Sequence, residues 1–189
     1  MGVGLDTSPF AIEEARARVA RSPGSDRIDL RLAGVEEVDR RPSHDLVICI
    51  GPGWETGGWS SLTAWTASLV APGGHLLLAD GAWRRAPTRT ELRSLGMEID
   101  TYPPTERVEG IVEEAGVDVV WSHRVTAEDW DAYGERYRDA MLSFMRASPG
   151  DPLVAHASQR AGPGWPMYEL LHSLLDFVLV LGRPRSGET

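Results

Sequence analysis

Leu46, Val47, Ile48, Cys49 and Ile50 form an unbroken apolar run between Asp45 and Gly51, most of it β-branched. No polar residue alternates with these five, which is the pattern of a strand buried on both faces, as in a parallel sheet between helices. The run is too short for a buried helix, and Pro42 and Pro52-Gly53 close it. Further strands are predicted at 2–6, 28–32, 75–80, 117–125 and 177–183. Helical spacing accounts for much of the rest. After Thr7-Ser8-Pro9, with Ser8 as N-cap and Pro9 at the first helical position, Ile12, Ala15 and Val19 recur until Ser22-Pro23-Gly24. Leu62, Trp65, Thr66 and Leu69 mark a helix over 59–70, broken by Ala71-Pro72-Gly73-Gly74. Thr88 and Glu91 have the spacing of a capping box for a short helix over 88–96. Val108, Ile111, Val112 and Ala115 face inward from a helix over 106–116.

Between the last two predicted strands lies a helical insertion, 126–176. Thr126 caps a helix that carries Trp130, Tyr133, Tyr137, Met141 and Phe144 on one face, and Pro149-Gly150 ends it. A second helix starts at Asp151-Pro152, and Gly162-Pro163-Gly164-Trp165-Pro166 separates it from a third that reaches about residue 175. A hairpin this long is more than a connection. It is expected to cover the ligand face of the sheet as a lid. No internal repeat or long linker interrupts the chain, so residues 1–189 read as a single α/β domain.

Composition narrows the partners. Net charge is −9 over 189 residues, so phosphate backbones are repelled and nucleic acid is not an expected substrate. All 19 basic residues are Arg, so no lysine can act as a Schiff-base nucleophile or phosphate anchor. Cys49 is the only cysteine, which excludes an intrachain disulfide and a thiolate metal site and makes a cytoplasmic location the expectation. The longest apolar runs are far shorter than a membrane span, so no membrane partner is expected.

Three stretches carry a family resemblance. Val3-Gly4-Leu5-Asp6-Thr7-Ser8 with Ile12-Glu13-Glu14-Ala15-Arg16 resembles the second strand and helix of the class I S-adenosylmethionine-dependent methyltransferases. The run from His44 to Gly51 resembles their fourth strand. Leu69-Val70-Ala71-Pro72-Gly73-Gly74, followed by His75 to Asp80, resembles their fifth and is the most specific of the three. Gly81-Ala82-Trp83-Arg84-Arg85 and the late helical hairpin are similar to small-molecule methyltransferases of bacterial type. The resemblance implies a three-layer, Rossmann-like sheet with an antiparallel last strand and the helical hairpin inserted before it. The family's first strand and glycine-rich loop have no counterpart, because Met1 falls where the chain already enters the second strand. The expectation is therefore an amino-terminally shortened, impaired form of a longer protein, with two unpaired strand edges that favour homo-oligomers.

The resemblance also assigns roles. S-adenosylmethionine is the implied cofactor and a small molecule the implied methyl acceptor. Asp6, with Thr7 beside it, would accept hydrogen bonds from the ribose hydroxyls. Gly34 replaces the acid that often reaches the adenine amine, leaving the Val35 backbone N–H for that end. Ile50 and Gly51 would bring backbone close to the amino-acid end and the reacting centre. Methyl transfer needs alignment and exclusion of water rather than a protein nucleophile. Asp80 and Glu55 are the carboxylates best placed for catalysis, by orienting or deprotonating the acceptor. Trp54 and Trp83 offer aromatic faces to a sulfonium or an apolar substrate. Tyr133 and Tyr137 serve either hairpin packing or substrate contact. Arg84 and Arg85 are either a solvated pair or a grip on an anionic substrate group.

Two other readings stay open. Asp6 would equally serve an NAD-type Rossmann oxidoreductase, though no G-x-G-x-x-G is present. A non-catalytic binding module derived from a methyltransferase is the third.

Overall fold

The computed structural model describes residues 1–38 and 41–185, with the backbone alone for Trp54 and Glu55. Contacts divide the chain into two compact units, Met1–Arg40 and Arg41–Thr189.

In the first unit, strand β1 (Gly2–Asp6) runs parallel to β2 (Ile28–Leu32), in register from Gly2↔Ile28 to Asp6↔Leu32. Helix α1 (Pro9–Val19) makes the crossover. It starts as expected, with the Ser8 hydroxyl accepting the Ala11 N–H and Pro9 opening the first turn. Ile12 is its buried residue, and the Arg16 guanidinium donates to the Leu30 carbonyl at 2.8 Å.

The second unit is built on a four-stranded sheet in the order β3-β4-β6-β5: β3 (His44–Ile50), β4 (Val70–Trp83), β6 (Leu175–Pro184) and β5 (Val117–Arg124). β3 is parallel to β4, while β6 is antiparallel to both of its neighbours, as the predicted closing strand requires. Short α2 (Gly53–Thr56) and α3 (Trp59–Ala67) follow β3. Helix α4 (Arg89–Leu95) follows β4, and α5 (Val108–Glu114) precedes β5. On one face Val47, Cys49, Leu76, Leu78, Val178 and Val180 pack against Trp59 and Leu62 of α3 and Val108 and Val112 of α5. On the other, Trp83, Leu174 and Leu175 form a second cluster with Leu92, Leu95, Tyr102, Leu170 and Leu171.

The insertion folds as α6 (Ala127–Ala147), α7 (Val154–Ala161) and α8 (Trp165–Leu174). Thr126 caps α6 by accepting the Asp129 N–H at 3.1 Å. The foot of α6 is fastened to the sheet through Trp130, whose ring stacks 4.6 Å from His172 and 5.4 Å from Phe177 of β6. The Trp130 indole N–H donates to the His172 carbonyl.

Three expectations need correction. The helix over 59–70 stops at Ala67, because Ser43 and His44 claim the Leu69 carbonyl and Val70 pairs with His44. Strand β4 thus begins five residues early and carries Pro72-Gly73-Gly74 as an irregularity in its ladder. The second insertion helix begins at Val154, since Asp151 forms a turn by accepting the Leu153 N–H. Finally, β3 is not buried on both faces. Val47 and Cys49 point into the core, but Leu46, Ile48 and Ile50 on the opposite face are more than half exposed. Among the described residues β3 pairs with β4 alone and β1 with β2 alone.

Candidate functional site

Ligand sites in open α/β sheets gather at the carboxyl ends of parallel strands, and each unit presents such an end. In the first, β1 ends at Asp6 and β2 leads to Gly34. The two exits adjoin: the Asp6 carbonyl accepts the Ala33 N–H at 3.2 Å. One Asp6 carboxylate oxygen accepts the Ser8 N–H at 2.7 Å, which aims the side chain across the turn. The other oxygen has no partner among the described residues and is exposed with Thr7. Gly34 is buried, and its N–H donates to the Glu37 carboxylate at 3.2 Å. Val35 opens a single helical turn, Val35–Glu37.

In the second unit the ladder between β3 and β4 continues one residue past Ile50, with the Gly51 N–H donating to the Ala79 carbonyl at 2.7 Å. The chain then turns sharply, with φ of +85° at Gly51, a conformation glycine adopts without strain. Asp80 fixes what comes next. One of its oxygens accepts the Gly53 N–H at 2.6 Å and the other the Gly81 N–H at 2.6 Å. A side chain on Gly53 would collide with that carboxylate, so glycine is what lets the loop approach. The Trp59 indole N–H donates to the Gly81 carbonyl at 2.8 Å, tying the start of α3 to the same point. Asp80 is buried. Burial raises its pKa above the ordinary value, against the pull of the two N–H donors. Burial also pushes the Cys49 thiol up to about 11, with the charge on Asp80 adding to the effect.

The expected site residues belong to both units. Asp6 and Thr7 stand beside Gly34 and Val35 in one unit; Ile50, Gly51 and Asp80 meet in the other. Both Asp80 oxygens are occupied by backbone donors, so it grips a loop rather than facing solvent. The side chains of Trp54 and Glu55 lie outside the described residues. Trp83 is a core residue, not an open aromatic face: it is 2% exposed, donates its indole N–H to the Ile99 carbonyl, and meets the Tyr102 ring edge to face at 5.3 Å. Tyr133 is exposed and Tyr137 half-buried; they stack on each other and extend a row from Trp130 to Tyr168. Arg85 is held by Glu91, which it pulls down to about 2 with help from the Thr88 N–H.

Two features escape the sequence reading. Asp176, the last residue of the expected insertion, is a buried carboxylate at the start of β6 that accepts from Arg84 and Thr105. An acid inside the apolar run from Leu174 to Leu181 is the signal that it needed partners. Tyr168 has a buried hydroxyl with no hydrogen-bond partner among the described residues, and burial pushes its pKa up to about 12. Among the described residues no helix is long and apolar enough to cross a membrane.

No protein-family model matches the chain. Among curated proteins it is similar to YjhP, an uncharacterized protein of Escherichia coli strain K12, at 24% identity over 156 residues. That match covers 82% of this chain and 63% of YjhP, so the chain spans just under two thirds of that relative's length. The crystal structure of YjhP superposes with a TM-score of 0.83 at 21% identity, covering 98% of this chain and 77% of that one. A SAM-dependent methyltransferase from Geobacter sulfurreducens, solved in complex with S-adenosyl-L-homocysteine, gives a TM-score of 0.84 at 21% identity over 98% of this chain and 76% of that one. A SAM-dependent methyltransferase from Thiobacillus denitrificans, in complex with the same compound, gives 0.79 at 21% identity over 98% and 76%. Over almost its whole length, this chain has the Rossmann-like fold of the S-adenosylmethionine-dependent methyltransferases.

Proposed function

We propose that the protein transfers a methyl group from S-adenosylmethionine to a small molecule. One observation carries the reading: the fold matches methyltransferases crystallised with S-adenosylhomocysteine over 98% of the chain. Fold alone does not set chemistry, so the residues must suit the cofactor as well. Asp6 does, because it keeps one exposed carboxylate oxygen at the end of a parallel strand, the acceptor a ribose diol requires. Gly34 and Val35 lie beside that exit and supply backbone for the adenine end. In the second unit, Gly51 turns at positive φ at the end of β3, where glycine permits close approach of backbone to a ligand.

When bound, S-adenosylmethionine supplies a methyl group on a positively charged sulfur. The chain's own residues then have three tasks: to hold the cofactor, to fix the acceptor and to keep water out. Asp80 is a positioning residue in this scheme. Its two hydrogen bonds lock the turn after β3, so the backbone near the reacting centre does not drift. Glu55, four residues past that turn, is the candidate to orient or deprotonate the acceptor. Tyr133 and Tyr137, with Trp54, are the candidates for acceptor contact, and the insertion serves as the lid.

The test is calorimetric titration of the 189-residue chain with S-adenosylhomocysteine and, separately, with NADH. Saturable heat with the first and none with the second is expected. Binding of NADH alone would move the protein to the oxidoreductases, and binding of neither would leave a module without this cofactor.

A further inference from the structure

Two arginines share one buried carboxylate where β4, β5 and β6 come together. Asp176 Oδ1 accepts from Arg84 Nε at 2.8 Å. Its Oδ2 accepts the Thr105 hydroxyl at 2.9 Å and lies 3.4 Å from Arg124 Nη1. The Asp176 side chain is 4% exposed, whereas those of Arg84 and Arg124 are 37% and 60% exposed. One carboxylate and two guanidiniums leave a surplus positive charge, held in place in a chain whose net charge is −9.

A surplus arginine on a protein surface is ordinarily just solvated. Here both guanidiniums lie against one buried carboxylate. Arg84 is fixed twice, by Asp176 and by donation from Nη2 to the Leu175 carbonyl at 3.1 Å. Arg124 is the last residue of β5, and among the described residues its side chain is partnered by Asp176 alone. The outward N–H groups of both have no partner among the described residues. Arg85, next in sequence, lacks this character because Glu91 neutralises it through two hydrogen bonds, at 2.6 and 3.1 Å. A planar fork of donors matches an oxyanion, and Arg84, already held by two hydrogen bonds, loses little freedom on binding one. The place is apt too: Arg84 leaves the carboxyl end of β4, four residues after Asp80, and Arg124 stands two residues before the Thr126 cap of α6.

We propose that Arg84 and Arg124, braced by Asp176, bind an oxyanion group, a carboxylate or a phosphate, on the methyl acceptor. The assignment to the acceptor rests on the methyltransferase reading; the anion site itself does not. The experiment uses the whole chain labelled with ¹⁵N-arginine, titrated with inorganic phosphate in one series and acetate in another. The Nε–H signals of Arg84, Arg85 and Arg124 are followed. Saturable shifts are expected at Arg84 and Arg124 with none at Arg85, and the anion that binds more tightly identifies the group. Arg124→Gln, an exposed substitution, should weaken binding by at least about tenfold. Absence of saturation, or equal affinity in Arg124→Gln, would overturn the proposal. Titration of the same samples with S-adenosylhomocysteine separates the two readings. Cofactor binding without anion binding defeats only the anion site, and the converse defeats only the methyltransferase.

Discussion

Asp80 sits where burial disfavours its charge, and two backbone N–H groups use it as their acceptor. Removing the carboxylate leaves the Gly53 and Gly81 donors buried without acceptors. Asp80→Ala should therefore lower the unfolding free energy by about 2–4 kcal/mol, measured by urea denaturation. The pH dependence follows from the direction of its shift. A carboxyl with a folded pKa above its ordinary 3.8 adds most stability below that value, and the contribution fades as pH rises through the folded pKa. The stability gap between wild type and Asp80→Asn should thus narrow as pH rises through the carboxylate range; a gap that widens would mean the two N–H donors outweigh burial. The position of Asp80 was legible in the sequence, since it closes an apolar run. Its partner was not, because a hydrogen bond across 27 residues leaves no local pattern. Trp83 misleads for a related reason: an aromatic residue after a strand reads alike whether its ring meets a ligand or, as here, Tyr102 and Ile99.

Among the elements, β3 shows how far an apolar run can be read. Five apolar residues between Asp45 and Gly51 specify a strand, and a strand of nearly those bounds is present. The run says nothing about which face is covered. That depends on α3 and α5, which pack over Val47 and Cys49 and leave Leu46, Ile48 and Ile50 exposed. Paired substitutions test this one-sidedness. Leu78→Ala, on the neighbouring strand and wholly buried, should cost about 2–5 kcal/mol. Ile48→Thr keeps a β-branched residue on the open face and should cost no more than about 0.5 kcal/mol, while reducing binding of a hydrophobic dye. Equal losses would show that the outer face is covered. Helix α4 was legible in full, because the Thr88 and Glu91 capping box is a local signal. What the signal omits is Arg85, whose guanidinium, with the Thr88 N–H, brings Glu91 from 4.5 to about 2. A depressed carboxylate contributes stability above its unfolded pKa and loses it as pH falls through the folded one. Acid unfolding of wild type should therefore be steeper between pH 4.5 and about 2 than that of Glu91→Gln, as followed by circular dichroism.

For the whole molecule, the succession of elements along the chain was legible because each carries its own period and its own stop signals, whereas the antiparallel closing strand followed from the resemblance to the methyltransferases. The aromatic row along α6 was legible too, as one helical face from Trp130 to Tyr137. Its use in stacking toward Tyr168 and His172 was not, since those residues belong to a helix more than thirty positions away. A net charge of −9 sets the background against which the Arg84 and Arg124 pair stands out. Cofactor binding is tested most sharply at Asp6. The decisive measurement is the affinity of S-adenosylhomocysteine, by calorimetry, for the wild-type chain and for Asp6→Ala. Saturable binding to wild type, weakened about tenfold in the variant, equal to about 1.4 kcal/mol, is the predicted result. Equal affinities for the two proteins, or no binding to wild type, would contradict the assignment.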